Sequence, residues 1–368
     1  MFHSRNAHKK TGVIMLVQAI TLSSFLLAAT AWAGTGNADA AAYSFWQAIG
    51  SQAAFQAASM IRKQSPQFKT ADSIAMTNAG YAEIDGQATM AALDGLSSVL
   101  KVSRGNHSLI EIHSSASMPL WFAVYDKRSG NCAYLQLNPA VIENEDVPLF
   151  SKETVAQINA DHLFAHPAEY GQKFDDKIFG GNEFRIVTIA NALAAGVSTK
   201  AVRAFEFHDH YCPGVTSGIL MAQYIEQHLD FGNIFIQSIQ PWCKEDALQA
   251  ILNTTPGKKS YDVLYPSEDD LAAWPDWANA ASTIVYQKSP GAATWTGIAL
   301  GFEFRETGCS DYGHSILNKL CADLWYLDKM DQPENFITVE RTFQLPESST
   351  PQDFARPGVD PVFLIDSL

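Results

Sequence analysis

Apolar residues recur at helical spacing in some parts of the chain and form short β-branched or aromatic runs in others. The helical spacing predicts helices at residues 40–61, 187–195, 200–205, 215–229, 244–252 and 311–327. The short runs predict strands at residues 109–112, 120–124, 132–137, 233–238, 261–264, 283–287 and 297–303. Helices and strands mixed in this way favour an α+β fold built from packed layers.

Changes in this pattern divide the chain into two halves. Loop-forming residues and an acidic run predict a connection at 141–182, partly helical near 154–160. A weakly structured tail is expected after Pro346. The predicted units are a signal peptide (1–33), a first half (34–140), the connection (141–182), a second half (183–346) and the tail (347–368).

The two halves share a weak repeat. Asp94, Leu96, Leu100, Gly105 and Ser108 each have an identical residue 152 positions later. Each copy predicts a helix, a glycine-bearing turn and a strand, which favours an internal duplication over chance similarity between helices. The first copy has Ala91 where the second has Cys243, so the first half is predicted to be degenerate and the chain to resemble a fused dimer. A homodimer of the whole chain is also possible.

The N-terminal segment has the order of a secretory signal. Arg5, Lys9 and Lys10 precede an apolar stretch at 13–29, and Ala31-Trp32-Ala33 provides a cleavage site after Ala33. An uncleaved membrane anchor is the alternative. No later stretch approaches the roughly 20 apolar residues of a membrane span. The mature protein is therefore expected to be periplasmic or secreted, without stable membrane insertion.

The composition limits the possible partners. The formal net charge is −14, and loss of the three cations in residues 1–33 would leave −17. This charge repels phosphate backbones and disfavours nucleic-acid binding. All five cysteines follow the signal, and an odd number leaves at least one thiol outside internal disulfides. A metal ion or a small metal-bearing ligand is the partner that this chain accommodates most readily.

Residues 207–214 contain two imidazoles and a thiol at alternate positions. On an extended backbone His208, His210 and Cys212 would point to the same side and could converge on one ion. Pro213-Gly214 predicts a turn into the next helix. The alternative is that these are ordinary polar residues between two elements.

These residues resemble the Phe-His-Gly-His-x-Cys-Pro-Gly motif of the formylmethanofuran dehydrogenase FmdE family. A second block, Cys243-x-x-Asp246-Ala247-x-Gln249 with Thr255-x-Gly257-Lys258, also resembles that family. The resemblance covers roughly residues 198–305. It implies an α+β domain that binds zinc or another divalent transition metal, often in a dimer. The candidate ligands are His208, His210, Cys212 and Cys243.

The sequence departs from the family in two places and carries an export signal, whereas the family is mainly cytoplasmic. Asp209 replaces the glycine between the histidines and adds a carboxylate beside the site. Thr254 replaces a cysteine, so any role of that thiol is absent. Lys258 is either a contact for an anionic ligand or a solvated lysine. The family name is therefore not taken as an activity.

Several kinds of site remain open at this point. Four ligands would close the coordination shell, whereas three would leave a position for an activated water and allow hydrolysis or isomerisation with Asp209 or Glu206 as the base. The metal could also serve only to hold a loop in place. Cys212 and Cys243 could instead form a disulfide. For Cys309 and Cys321, a disulfide, burial and a second metal site with His314 are the alternatives.

Overall fold

The computed structural model describes residues 35–144, 146–230 and 233–368. The predicted signal peptide, residues 1–33, lies outside this part of the chain. Among the described residues, no helix combines the length and the apolar character that crossing a membrane requires.

The first half contains a long helix, a short helix and seven strands. They are α1 (Thr35–Gln64), β1 (Ser73–Thr77), β2 (Glu83–Ile84), β3 (Gln87–Ala88), α2 (Ala92–Leu100), β4 (Leu109–Glu111), β5 (Trp121–Asp126), β6 (Asn131–Leu137) and β7 (Phe150–Gln157). Five helices follow: α3 (Ala160–Ala165), α4 (Pro167–Asp175), α5 (Glu183–Ala195), α6 (Thr199–His208) and α7 (Pro213–His228).

The remaining elements alternate between strands and helices. They are β8 (Ile234–Ser238), α8 (Lys244–Leu252), β9 (Tyr261–Val263), α9 (Glu268–Ala273), α10 (Asp276–Ala280), β10 (Ala281–Gln287), β11 (Thr296–Phe302), α11 (Ser315–Leu327), β12 (Ile337–Gln344), α12 (Pro351–Phe354) and α13 (Pro361–Asp366). The mixture of helices and sheets confirms the predicted α+β class.

The described residues form two five-stranded sheets with the same topology. The strand orders are β4-β1-β5-β6-β7 and β9-β8-β10-β11-β12, and β2 and β3 form a small separate ribbon. In each large sheet the first pair is parallel, β1 with β4 and β8 with β9. The remaining pairs are antiparallel.

The first sheet is buried on both faces, which explains why β5 reads as a continuous apolar run rather than an alternating one. Phe122 and Val124 pack toward α1 and α2. Trp121, Ala123 and Tyr125 point to the other face and join a core that includes residues of α5, α6, α7 and α11. Helix α7 therefore lies deep in the molecule, and the motif at its start is held by packed neighbours.

The second sheet also has a core on each face. Met221, Ala222 and Ile225 of α7 and Leu248 of α8 pack on one face of this sheet. The other face packs against α10, α12 and α13. Helix α7 thus contacts cores that belong to both sheets, and the two halves are joined through it.

Three sequence expectations differ from the structure. Residues 150–157, expected in the connection, form β7, because they pair with β6 at the edge of the first sheet. The tail after Pro346 was predicted to be weakly structured, but it forms α12 and α13 and buries Phe354, Val362 and Ile365. The expected loop around Trp274 forms α9 and α10, and α9 begins at a capping box of Ser267 and Asp270.

The repeat seen in the sequence coincides with matching elements. Helix α2 and strand β4 have bounds that are each 152 positions before those of α8 and β9. The connections match as well, with 3-10 turns at Arg104–Asn106 and Pro256–Lys258. This agreement supports two related halves, while their common origin stays a prediction.

Candidate metal centre

His208 is the last residue of α6, and the helix ends because Asp209 adopts the left-handed conformation, with φ of 74°. The expectation of an extended backbone through the motif was therefore wrong. The two imidazoles approach each other across a tight turn, with ring centroids 4.3 Å apart. A left-handed residue suits glycine best, which is the residue that the resembled motif has at this position.

Both thiols lie at helix N-termini. Cys212 precedes α7 and Cys243 precedes α8, each as the N-cap residue. The unpaired N–H groups at a helix start favour a thiolate over a thiol. The two helices approach closely here, because a Cβ on Gly214 would lie only 3.0 Å from the Cβ of Cys243 and 3.1 Å from its Sγ.

The structure brings the four predicted ligands together. One ligand atom from each of His208, His210, Cys212 and Cys243 lies within 4.8 Å of all the others. Two thiols and two imidazoles form the donor set of tetrahedral zinc sites, where metal–ligand bonds are about 2.0 to 2.3 Å. Nε2 of His208 is buried without a hydrogen-bond partner, which is the state expected of a ligand atom that awaits a metal.

Carboxylates hold both imidazoles by the nitrogen that does not face the thiols. Nδ1 of His208 donates to Asp246 Oδ2 at 2.6 Å, and Nδ1 of His210 donates to Asp209 Oδ1 at 2.6 Å. Asp209 is held in turn by Arg185, at 2.6 Å from its other oxygen. Such contacts fix the ring orientation and increase the basicity of the ligand nitrogen.

The charges within the cluster favour one ionised thiol. Hydrogen bonds with Cys212, His208 and His210 lower the pKa of Cys243, whereas the hydrogen bond with Cys243 and burial raise the pKa of Cys212. Burial opposes protonation of His208, but its contacts with Asp246 and Cys243 outweigh this effect and raise its pKa to about 9. Without metal, the site therefore contains a thiolate beside an imidazolium.

The first half supports the helix that carries His208. The backbone N–H of His113 donates to Glu206 O at 3.0 Å, and Nδ1 of His113 lies 3.1 Å from Phe207 O. These carbonyls at the end of α6 have no partner within the helix. The ring of His113 also stacks on Phe207, and Glu206 forms an ion pair with Arg104 at 2.9 Å. The end of β4 thus helps to position the metal centre.

A buried ion pair fixes the start of α8 behind Cys243. Lys244 is fully buried, and its Nζ bonds Glu245 and the carbonyl of Gln240. Glu245 also accepts from the backbone N–H of Trp242 at 2.6 Å. Burial lowers the pKa of Lys244 to about 8. Every charged atom of the pair therefore has a partner, which a buried charge requires.

Asp209 is beside the cluster as expected, but Lys258 is not. Lys258 donates to Asn253 at the C-terminal end of α8, whereas Cys243 lies before the first residue of that helix. Nine helical residues span about 13 Å, so the lysine cannot contact a metal ligand at the other end. The interpretation of Lys258 as an anion contact at this site was wrong.

The structure also resolves the cysteine alternatives. Cys309 and Cys321 form a disulfide. Cys132, Cys212 and Cys243 are free thiols. His314 caps α11 instead of joining a second cluster, and the His-His-Cys-Cys group is the one cluster of potential ligands found in the described part of the chain.

Sequence reasoning missed three residues that support the site: Arg185, Asp246 and His113. Asp246 lies within the second motif, and its position one turn after Cys243 could have suggested a contact with the same metal centre. Arg185 and His113 come from α5 and from the end of β4, and no local pattern connects them with the motif.

The corresponding place in the first half is filled. Gly50 of α1 packs against Ala92 as Gly218 of α7 packs against Lys244, with an added Cβ only 2.0 and 2.5 Å from the two carbonyl oxygens. Four residues before these glycines, the first half has the buried Trp46 where α7 has Gly214. The indole thus takes the place that is open beside Cys243, which agrees with a degenerate first half.

Comparison with protein families supports the interpretation of the motifs. Residues 207–287 match the family described as FmdE, Molybdenum formylmethanofuran dehydrogenase operon. A comparison with curated proteins gave no match. The matched segment begins at Phe207, directly before the His-x-His-x-Cys residues, and ends with β10. The chain therefore carries a domain of the formylmethanofuran dehydrogenase FmdE family at residues 207–287.

Proposed function

We propose that this protein is exported and binds one divalent transition metal, with zinc as the best-fitting ion, through His208, His210, Cys212 and Cys243. The observation that carries the proposal is the convergence of these four ligand atoms within 4.8 Å. The family match supports a metal-related role in general. The identity of the metal and the export are parts of the proposal.

The chemistry of the donor set favours zinc. Two thiolates and two imidazoles suit a borderline ion with tetrahedral preference, whereas magnesium and calcium prefer oxygen ligands. Bound there, zinc would join the end of α6 to the starts of α7 and α8. Four protein ligands complete the usual coordination of zinc, so binding of the bare ion is favoured over binding of a metal-bearing small ligand.

The contacts of the two candidate bases argue against hydrolysis or isomerisation. Both carboxylate oxygens of Asp209 are engaged, one by His210 and one by Arg185. Glu206 accepts from the backbone of Glu111 and pairs with Arg104. A general base must reach a proton of the substrate or of a water molecule, and neither carboxylate is free to do so without breaking these contacts.

The disulfide supports export. Disulfides form and persist in oxidising compartments and are rare in the reducing cytosol. Cys309 and Cys321 form such a bond, while Cys212 and Cys243 remain thiols at the metal centre. A metal bound by both thiolates would protect them from oxidation in the same compartment.

Cobalt substitution tests the proposed ligand set. The protein loaded with one equivalent of Co²⁺ should show the visible bands of a tetrahedral ion and the near-ultraviolet charge-transfer band of cobalt–thiolate bonds. Cys212→Ser should weaken both, whereas Cys132→Ala, which removes a buried thiol of β6, should leave them unchanged. A spectrum without thiolate bands, or one that Cys212→Ser does not alter, would contradict the proposal.

A further inference from the structure

A second cavity lies away from the metal centre. It has a volume of about 650 Å³ and lies where the connection between α5 and α6 meets α7 and α11. This volume is within the range of sites that bind small organic molecules, about 300 to 1,000 Å³. Ten residues of α6 separate Ser198, which lines the cavity, from His208, a distance of about 15 Å along the helix.

The walls of the cavity are mostly apolar. Its lining includes Ala195, Val197, Ala201, Leu324, Leu327 and Met330. These side chains offer dispersion contacts but no hydrogen bonds, so they suit the hydrocarbon part of a ligand. Small residues at 195 and 201 leave the space that makes the cavity.

One lining residue has an unpaired acceptor. Gln223 of α7 lines the cavity, and its Oε1 is buried without a hydrogen-bond partner among the described residues. A buried acceptor without a partner costs about 1 to 3 kcal/mol in general. A ligand that carries an N–H donor would provide the missing partner once the amide turns toward it.

The charges at the cavity are negative. Asp328 and Asp331 belong to the lining. Lys329 lies 3.4 Å from Asp328 but also covers the ring of Trp325. The nearby cation of α6, Lys200, is paired with Glu226. With the overall charge of −14, these carboxylates repel anions and attract cations.

We propose that this cavity binds a small organic ammonium ion with an apolar body. The carboxylates of Asp328 and Asp331 attract the charged head, Gln223 accepts one of its N–H groups, and the alkyl or aryl part fills the apolar walls. The site is independent of the metal centre, and binding should persist in the Cys212→Ser variant, so failure of one proposal leaves the other intact.

A matched series of six-carbon probes tests the charge preference. Isothermal titration calorimetry at low ionic strength should show that hexylammonium binds more tightly than hexanol, and that hexanoate does not bind. Added salt should weaken hexylammonium binding, because exposed charges are screened within about 10 Å at 0.1 M salt. Equal binding of hexylammonium and hexanoate, or no binding of hexylammonium, would overturn the proposal.

Variants locate the binding to this cavity. The double change Asp328→Asn and Asp331→Asn should weaken hexylammonium binding about fivefold, since each exposed charge contact contributes modestly. Asp269→Asn removes the same charge from α9 and serves as the control. Val197→Trp should fill the space and abolish binding. Unchanged affinity in both the double variant and Val197→Trp would show that the probe binds elsewhere, and the proposal would fail.

Discussion

Nδ1 of His208 donates to Asp246 Oδ2 at 2.6 Å, and the opposite nitrogen of the same ring is buried without a partner. The aspartate therefore determines which nitrogen faces the thiols. Asp246 stands three residues after Cys243 on the first turn of α8. One helix start thus supplies both a candidate ligand and the carboxylate that orients another ligand.

Asp246→Asn should lower metal affinity by about 10- to 100-fold, the usual cost of removing a carboxylate that orients a ligating histidine. Competition with a chromophoric chelator measures this affinity. The control is Asp94→Asn, since Asp94 occupies the same place in the repeat of the first half and accepts from Tyr43. Equal affinity of the two variants would show that the contact with His208 has no role in metal binding.

Asp209→Gly separates backbone strain from the carboxylate contact. Glycine adopts the left-handed conformation without the steric cost of about 1 kcal/mol or more that other residues bear. The free energy of unfolding of the metal-free protein should therefore change by no more than about 1 kcal/mol. Metal affinity should fall about tenfold because His210 loses its acceptor. Chemical denaturation and chelator competition measure the two effects, and an unchanged metal affinity would argue against the contact.

Gly214→Ala should weaken metal binding without unfolding the protein. The new methyl would lie 3.1 Å from Cys243 Sγ and displace the thiol, while alanine is favoured over glycine in a helix by about 1 kcal/mol. Gly218→Ala is the matched change on the same helix, and its methyl would lie 2.5 Å from the carbonyl oxygen of Lys244. That variant should lose about 1 to 3 kcal/mol of stability through overpacking. Thermal unfolding with and without zinc distinguishes them, and identical behaviour would refute the assignment of Gly214.

Asp323 of α11 should make the stability depend on pH. It is buried, and neither carboxylate oxygen has a partner among the described residues, so burial raises its pKa well above the usual value. The folded protein then holds a proton that the unfolded chain releases above about pH 4. Stability that is complete below that pH is lost as pH rises toward the folded-state pKa, by up to about 1.4 kcal/mol per pH unit.

Asp323→Asn removes this titration while keeping the size of the side chain. The variant should match the natural protein near pH 4 and exceed its stability near pH 8, measured by urea unfolding at both values. Asp269→Asn, at an exposed position of α9, controls for the loss of one negative charge. A variant that is less stable than the natural protein at pH 8 would show that the carboxylate is ionised and paired in the folded state.

The sequence predicted the elements that contain their own signals. Residues 244–252 were predicted as a helix and form α8 with the same bounds. The metal ligands were found because both motifs keep their residues close together in the chain. The start of α7 was also predicted, since Pro213 can occupy the first helical turn but cannot continue a helix from before it.

The failures share a physical cause, because they depend on partners distant in the chain. β7 has alternating charged residues that resemble a loop, and only pairing with β6 makes it a strand. His113 looks like an ordinary surface residue until the end of α6 is placed beside it. The local turn at Asp209 was missed because alternate spacing in the motif suggested an extended chain.

The most direct test is the metal content of the protein purified from its exported compartment, with a titration of free thiols on the same sample. The account predicts one equivalent of zinc or a similar metal, with Cys212 and Cys243 protected from alkylation until a chelator is added, and no bound metal after Cys212→Ser. An absence of metal together with a disulfide between Cys212 and Cys243 would contradict the account, because the cluster would then act as a covalent link and not as a metal centre.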